Sequence, residues 1–173
     1  ENVVREVVSR LSAGGDPVAP KASPAVDRVV EQARAAYDAY SGMGLDKRYE
    51  LVSAMREAAK AHVKRFAADA VRETGLGRVE DKVQKNLLAI VKTPGPEILK
   101  SMARTGDHGL TLTERAPHGV IGAITPCTNP TETIINNAIS MLSAGNGVVF
   151  NAHPSAASCS RECIDVLDGA IVE

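Results

Sequence analysis

The chain has 173 residues and a formal net charge of -1, enough for one domain with its own core but short for a two-domain enzyme. Without a long basic run, and with 3% aromatic residues and no Trp, it lacks the footprint of a nucleic-acid binder. No apolar run approaches the roughly 20 residues a membrane-spanning helix needs, and three cysteines fit a reducing cytosol better than a disulfide framework.

The opening "ENVVREVVSRL" has a helical period, with Val3, Val4, Val7, Val8 and Leu11 on one face and charges on the other. Those charges interrupt the apolar centre a signal peptide would need. "SAGGDPVAPKASPA" follows, rich in Gly, Pro and Ala without periodicity. The pattern assigns an amphipathic helix to residues 1–14, a flexible linker to 15–25 and a folded domain to 26–173. An isolated helix this short is marginal, so its stripe must dock. Either it packs on its own or a sister subunit, or it is a detachable address.

From Ala25 to about Ala103 the pattern is helical. One stripe runs through Val26, Val29, Val30, Ala33 and Tyr37, and the next through Leu51, Met55, Ala58 and His62. Gly75 and Gly77 punctuate the second helix, and a third is broken at Pro94-Gly95-Pro96. The many charges read as solvated helix faces. Beyond Thr105 the period changes: a strand is expected at Leu110 to Glu114 and a buried one at Val120 to Thr125. Pro130 to Ser143 reads as a helix with Ile134, Ile135, Ala138, Ile139 and Leu142 facing the core. A strand at Val148 to Phe150 and a helix at Ser155 to Ile171 complete the chain. Strand, helix, strand and helix with short loops make a βαβ crossover and a parallel sheet. Two parallel strands are few for a doubly wound sheet, so the sequence reads as the front portion of something larger.

Strand-to-helix turns are where open α/β sheets place ligand-binding residues, and "TPCTNPTE" fills that position. Cys127, about three residues before a helix, has the place of an activated thiol but no histidine or acid close in sequence to serve as base. Its other reading is a small apolar residue at a strand end. Asn129, Pro130 and Glu132 match an N-cap, a first-turn proline and a capping box. The alternative for Asn129 is an amide NH2 offered to a developing oxyanion; spacing alone favours the cap. Cys159, Cys163 and His153 lack a fourth neighbour for a metal, so none is expected. Gly119 and Gly122 lie before and inside the strand rather than after it, so a G-x-G-x-x-G phosphate turn is absent.

Three stretches carry a family resemblance: "ETGLGRVEDKVQKN" (Glu73 to Asn86), "KTPG" (Lys92 to Gly95) and "ERAPHGVIGAITPCTNPTETIINNAISMLSAGNGVVFNAHPSA" (Glu114 to Ala156). From about Leu45 onward the chain resembles the aldehyde dehydrogenase superfamily, most closely the CoA-acylating acetaldehyde and propionaldehyde dehydrogenases of bacterial microcompartments. The resemblance implies an α/β fold, the N-terminal part of a Rossmann-type NAD-binding domain, with a helical first half followed by the βαβ unit. It implies that Asn129 donates its amide to the substrate oxygen, which reverses the preference for a cap. The backbone at Ile124, Thr125 and Pro126 would line the cofactor cleft. Asn151, His153 and Pro154 would replace the Lys and Glu with which many relatives hold the adenine ribose, leaving NADP open beside NAD. Coenzyme A and a small aldehyde are the implied co-substrates. The nucleophilic cysteine of the family would lie downstream of this chain, with Cys127 at a position where relatives carry a small residue. Residues 1–14 resemble an encapsulation peptide, which implies a shell-protein partner and a place in the microcompartment lumen within the cytoplasm. The strand near Leu110 resembles the family's oligomerisation strands and implies a homo-oligomer. The alternative from another class is a non-catalytic shell-docking module derived from the family.

Overall fold

The computed structural model describes residues 24–172. The expected helix at 1–14, and the linker apart from Pro24 and Ala25, lie outside the described residues. Those two residues are already helical, because helix α1 runs Pro24–Ser41. A proline in a first turn forfeits no intrahelical bond, since the N–H groups there have no helical acceptor.

The apolar stripe of α1 docks only by its later half. Val26, Val29 and Val30 are 52%, 43% and 40% exposed, whereas Ala33, Tyr37 and Tyr40 are half-buried. The docking surface includes strand β4 (Gly147–Ala152). A Cβ on Gly147 would lie 3.0 Å from the Ala33 carbonyl oxygen and 3.3 Å from Tyr37 Cβ, so the close approach depends on glycine. The Tyr40 hydroxyl then donates to the Leu142 carbonyl at 2.7 Å.

Helix α2 (Leu45–Thr74) is the spine of the domain and ends at Gly75, whose φ of 68° closes the helix through a bond to the Val71 carbonyl. Its buried face runs through Val52, Met55, Ala59, Val63 and Phe66. This is one residue on from most of the expected stripe, and Leu51, Ala58 and His62 are only half-buried. Both stripes repeat by three and four. The one carrying the bulkier Val63 and Phe66 removes more apolar area from water and therefore faces inward. His62 stacks on Phe66, with ring centroids 5.9 Å apart, as an ordinary helix-surface residue.

Helix α3 (Val79–Lys92) packs against α2. Arg56 of α2 donates to the Ile90 carbonyl and, at 2.6 Å, to that of Thr93, covering carbonyls the helix end leaves open. Past the Pro-Gly-Pro break there is a single 3-10 turn, Pro96–Leu99, rather than more α-helix. The chain then forms an antiparallel hairpin of β1 (Met102–Gly106) and β2 (Gly109–Thr113). Met102 and Ala103 thus belong to a strand, not to the expected helical stretch, and the expected strand at Leu110 to Glu114 lies one residue earlier and has a partner. Gly106 pairs with Gly109 across a two-residue loop, Asp107-His108, with φ 142° at Gly109.

The βαβ unit stands as expected. Strand β3 (Val120–Thr125), helix α4 (Pro130–Ser143) and β4 follow in order, with β3 and β4 parallel in register from Val120↔Gly147 to Thr125↔Ala152. β4 is longer than the expected Val148 to Phe150. A 3-10 turn, Pro154–Ala156, precedes helix α5 (Ala157–Val172). Ile134, Ile135, Ala138 and Ile139 are at most 4% exposed and meet Met55, Phe66, Cys163 and Leu167 in one core.

Candidate functional site

The carboxyl ends of β3 and β4 bring two expected segments side by side. Ile124 pairs with Asn151 and Thr125 with Ala152, and the His153 amide donates to the Thr125 carbonyl at 3.1 Å. The register therefore gathers Ile124, Thr125 and Pro126 with Asn151, His153 and Pro154 at one sheet edge. Ile124 is 81% exposed, a large apolar surface at the end of a strand, while Thr125 is 1% exposed with its hydroxyl buried and unpartnered. His153, Asn151 and Pro154 are exposed. The His153 ring is partly committed: its Nδ1 accepts the Ser155 amide at 3.1 Å and caps the 3-10 turn.

The N-terminus of α5 is occupied from within. Glu73, at the end of α2, accepts the amides of Ser158 at 2.8 Å and Cys159 at 2.6 Å. Burial pushes its carboxyl up, but these amide bonds outweigh burial and the net pKa lies below the usual carboxylate range. A dinucleotide phosphate at this edge would find those two donors already used, which agrees with the missing glycine-rich turn.

Asn129 stands at the N-cap position of α4, followed by Pro130, as the spacing predicts. Yet its side chain makes no capping bond. Its Oδ1 instead accepts from Lys85 Nζ at 3.1 Å, and Glu132 makes no capping-box bond. Lys82 Nζ lies 3.7 Å from Glu132 Oε1, an ion-pair separation too long for a hydrogen bond, and Oε1 has no hydrogen-bond partner. Lys82 itself is 3% exposed and donates to the Thr128 carbonyl at 2.6 Å. One turn further along α3, the Thr131 hydroxyl donates to Asn86 Oδ1 at 3.0 Å, and beyond α3 the Thr93 hydroxyl donates to Asn136 Oδ1 at 3.0 Å. α3 thus presents a polar seam to the first turns of α4. An open groove of about 520 Å³ runs beside it, bounded by Lys85, Lys92, Asn129, Glu132, Thr133 and Asn136.

Lys82 and Lys85 are functional candidates that the reading of α3 as a solvated charged helix missed. The available signal was spacing: Val79, Lys82, Asn86 and Ile90 fall on one face, so a lysine and an amide interrupt the stripe that packs inward. Cys127 joins a small cluster with Ala70, Ala156 and Cys159, consistent with the packing reading. Burial and the nearby Glu73 carboxylate push the Cys159 thiol up to about 12, and burial raises that of Cys163 as well. Neither is a ready nucleophile. Among the described residues no group of three His, Cys, Asp or Glu is placed to hold a metal ion.

Residues 17–173 match the profile of the aldehyde dehydrogenase family. The chain belongs to that family. It is 42% identical over 176 residues to acetaldehyde dehydrogenase (acetylating) EutE of Escherichia coli K12, an alignment covering 99% of this chain and 37% of the relative. Against propanal dehydrogenase (CoA-propanoylating) of Citrobacter freundii it is 45% identical over 145 residues, covering 84% and 32%. Among solved structures it is similar to a propionaldehyde dehydrogenase from the Clostridium phytofermentans fucose utilisation bacterial microcompartment. That match has a TM-score of 0.80 and 46% identity, and covers 83% of this chain and 33% of the other. The Rhodopseudomonas palustris propionaldehyde dehydrogenase with bound CoA gives a TM-score of 0.81 at 44% identity, covering 84% and 34%. The chain therefore spans about a third of the length of these aldehyde dehydrogenases and corresponds to their N-terminal part. The helical first half and the parallel strand pair are the opening of the acylating aldehyde dehydrogenase fold.

Proposed function

We propose that this chain is the cofactor-facing N-terminal part of an NAD-dependent, CoA-acylating aldehyde dehydrogenase that converts a short-chain aldehyde to its acyl-CoA. The observation that carries the reading is the sheet edge: Ile124 to Pro126 lie against Asn151 to Pro154, with Asn129 opening the helix that follows. The exposed Ile124 offers an apolar contact, and Asn151 and His153 offer polar ones, which fits a dinucleotide lying along the edge. Asn151, His153 and Pro154 would hold the adenosine side in place of a Lys–Glu pair, a donor set that leaves NADP open beside NAD. When bound, the nicotinamide ring accepts the hydride.

The protein's own contribution is orientation and charge stabilisation. A cysteine supplied outside these 173 residues attacks the aldehyde carbonyl, whose oxygen becomes negative, and the Asn129 NH2 donates to that oxygen. Coenzyme A then takes the acyl group. Cys127, packed among Ala70, Ala156 and Cys159, has no part in this sequence. The test is CoA-dependent NADH production from propionaldehyde and acetaldehyde by the full-length polypeptide, with its mass in solution read by light scattering. Activity from the full-length protein and none from the 173-residue chain is expected. Acyl transfer by the 173-residue chain alone would overturn the division of labour. The hairpin supports a homo-oligomer, because its ten strand residues are all exposed and Leu110 and Leu112 are 67% and 60% exposed. A full-length monomer would count against that part.

We further propose that residues 1–14 address the enzyme to the lumen of a cytoplasmic microcompartment through a shell protein. The stripe of Val3, Val4, Val7, Val8 and Leu11 supports this, as does the microcompartment origin of a similar enzyme. Fused to a fluorescent protein and co-expressed with its cognate shell, the segment should give puncta, and Val4→Glu with Val8→Glu should disperse them. Puncta that survive the double change would sink the address reading.

A further inference from the structure

Resting on the oxyanion role proposed for Asn129, we infer that Lys85 is the positioning residue that sets the polarity of its amide. An asparagine can offer either its oxygen or its NH2 to a given direction, and the two ends do opposite chemistry. Lys85 decides between them. An ammonium only donates, so the end of the amide facing Nζ at 3.1 Å is Oδ1. The NH2 is thereby turned away from Lys85, and among the described residues it donates to no other group. A free NH2 is what an oxyanion donor requires, whereas a capping asparagine would have used its oxygen on the backbone of its own helix.

Two further observations make Lys85 available for this task. Asp81, one turn earlier, is bound by Arg78 through two bonds of 2.8 and 3.2 Å; it also attracts Lys85 electrostatically, yet the hydrogen bond of Lys85 goes to Asn129. The backbone on which Asn129 sits is anchored separately, because Lys82 holds the preceding Thr128 carbonyl at 2.6 Å. The two lysines, three apart on one face of α3, divide the work: Lys82 fixes the turn and Lys85 orients the side chain. A cation on Oδ1 also polarises the amide and strengthens its N–H as a donor. Lys85 and Asn129 border the same groove beside α4.

The test uses the full-length enzyme. Lys85→Met should lower kcat roughly 10- to 100-fold, less than complete loss of a donor, because the NH2 is still present but no longer held. Aldehyde KM should change little. Lys85 is exposed, so the melting temperature should stay near wild type. Lys85→Arg, which also only donates, should recover most of the turnover. In an Asn129→Ala background, Lys85→Met should change kcat by less than about twofold, since the two residues act as one unit. A Lys85→Met enzyme with wild-type kcat overturns the inference. So does an equal further loss in the Asn129→Ala background, which would place the lysine's effect elsewhere. A full-length wild-type enzyme without CoA-dependent activity overturns the enzyme reading and this role together.

Discussion

Asn129→Asp in the full-length enzyme should lower turnover by at least about 100-fold, the lower end of what loss of an oxyanion donor costs, and melt near the wild type. The geometry separates the two effects. The Asn129 side chain makes no capping bond, and among the described residues its one hydrogen bond is that of the oxygen, which accepts from Lys85. Aspartate retains an oxygen for Lys85 and is as good an N-cap as asparagine, so nothing that holds the turn is lost. What disappears is the NH2, and a carboxylate in its place repels the developing negative charge. Steady-state kinetics and a thermal melt of the same preparation decide the matter. A variant that melts early but keeps its turnover would show that Asn129 serves the helix rather than the chemistry.

The second large effect falls on stability. Lys82→Met should destabilise the full-length protein by about 3–5 kcal/mol, the cost of removing one partner from a buried ion pair. Lys82 and Glu132 are 3% and 9% exposed, and Glu132 Oε1 already lacks a hydrogen-bond partner. Deleting the ammonium leaves a carboxylate in that environment and strips the Thr128 carbonyl of its donor. Replacing both residues, Lys82→Met with Glu132→Met, removes the orphaned charge and should recover much of the loss, because two apolar side chains of similar length tolerate burial. Urea unfolding of the single and double variants provides the measurement. A loss below about 1 kcal/mol in the single variant, the range of surface pairs, would mean that Lys82 is no more than an exposed charge.

These two predictions fall on opposite sides of what sequence patterning can reach. The position of Asn129 at the start of a helix was legible because its signals are local: a strand-ending apolar run, a proline in the first helical turn, and a long motif shared with aldehyde dehydrogenases. The parallel β3–β4 pair was legible for the same reason, since a short strand-helix-strand stretch leaves few topologies open. Lys82 was not, because it looks like any other lysine in a charged helix until α4 is brought across it. Its burial comes from residues 46 to 50 positions away; the local spacing with Val79, Asn86 and Ile90 marks an inward face but not what covers it.

The same boundary runs through the helices and strands. The apolar repeat in α2 established a helix with a buried face, but two adjacent stripes satisfied it. Packing against α3, α4 and α5 selected the one through Val63 and Phe66. The hairpin shows the converse. Met102 and Ala103 have no strand signal of their own, and they are extended because Thr113 and Leu112 pair with them across a two-residue turn. The sequence by itself determined the family, the βαβ order and the placement of Asn129 at the start of a helix, because each is written in residues close along the chain. Tertiary structure alone decided that Asn129 is not a side-chain cap. That outcome depends on which donor reaches its oxygen, and the donor, Lys85, lies 44 residues away.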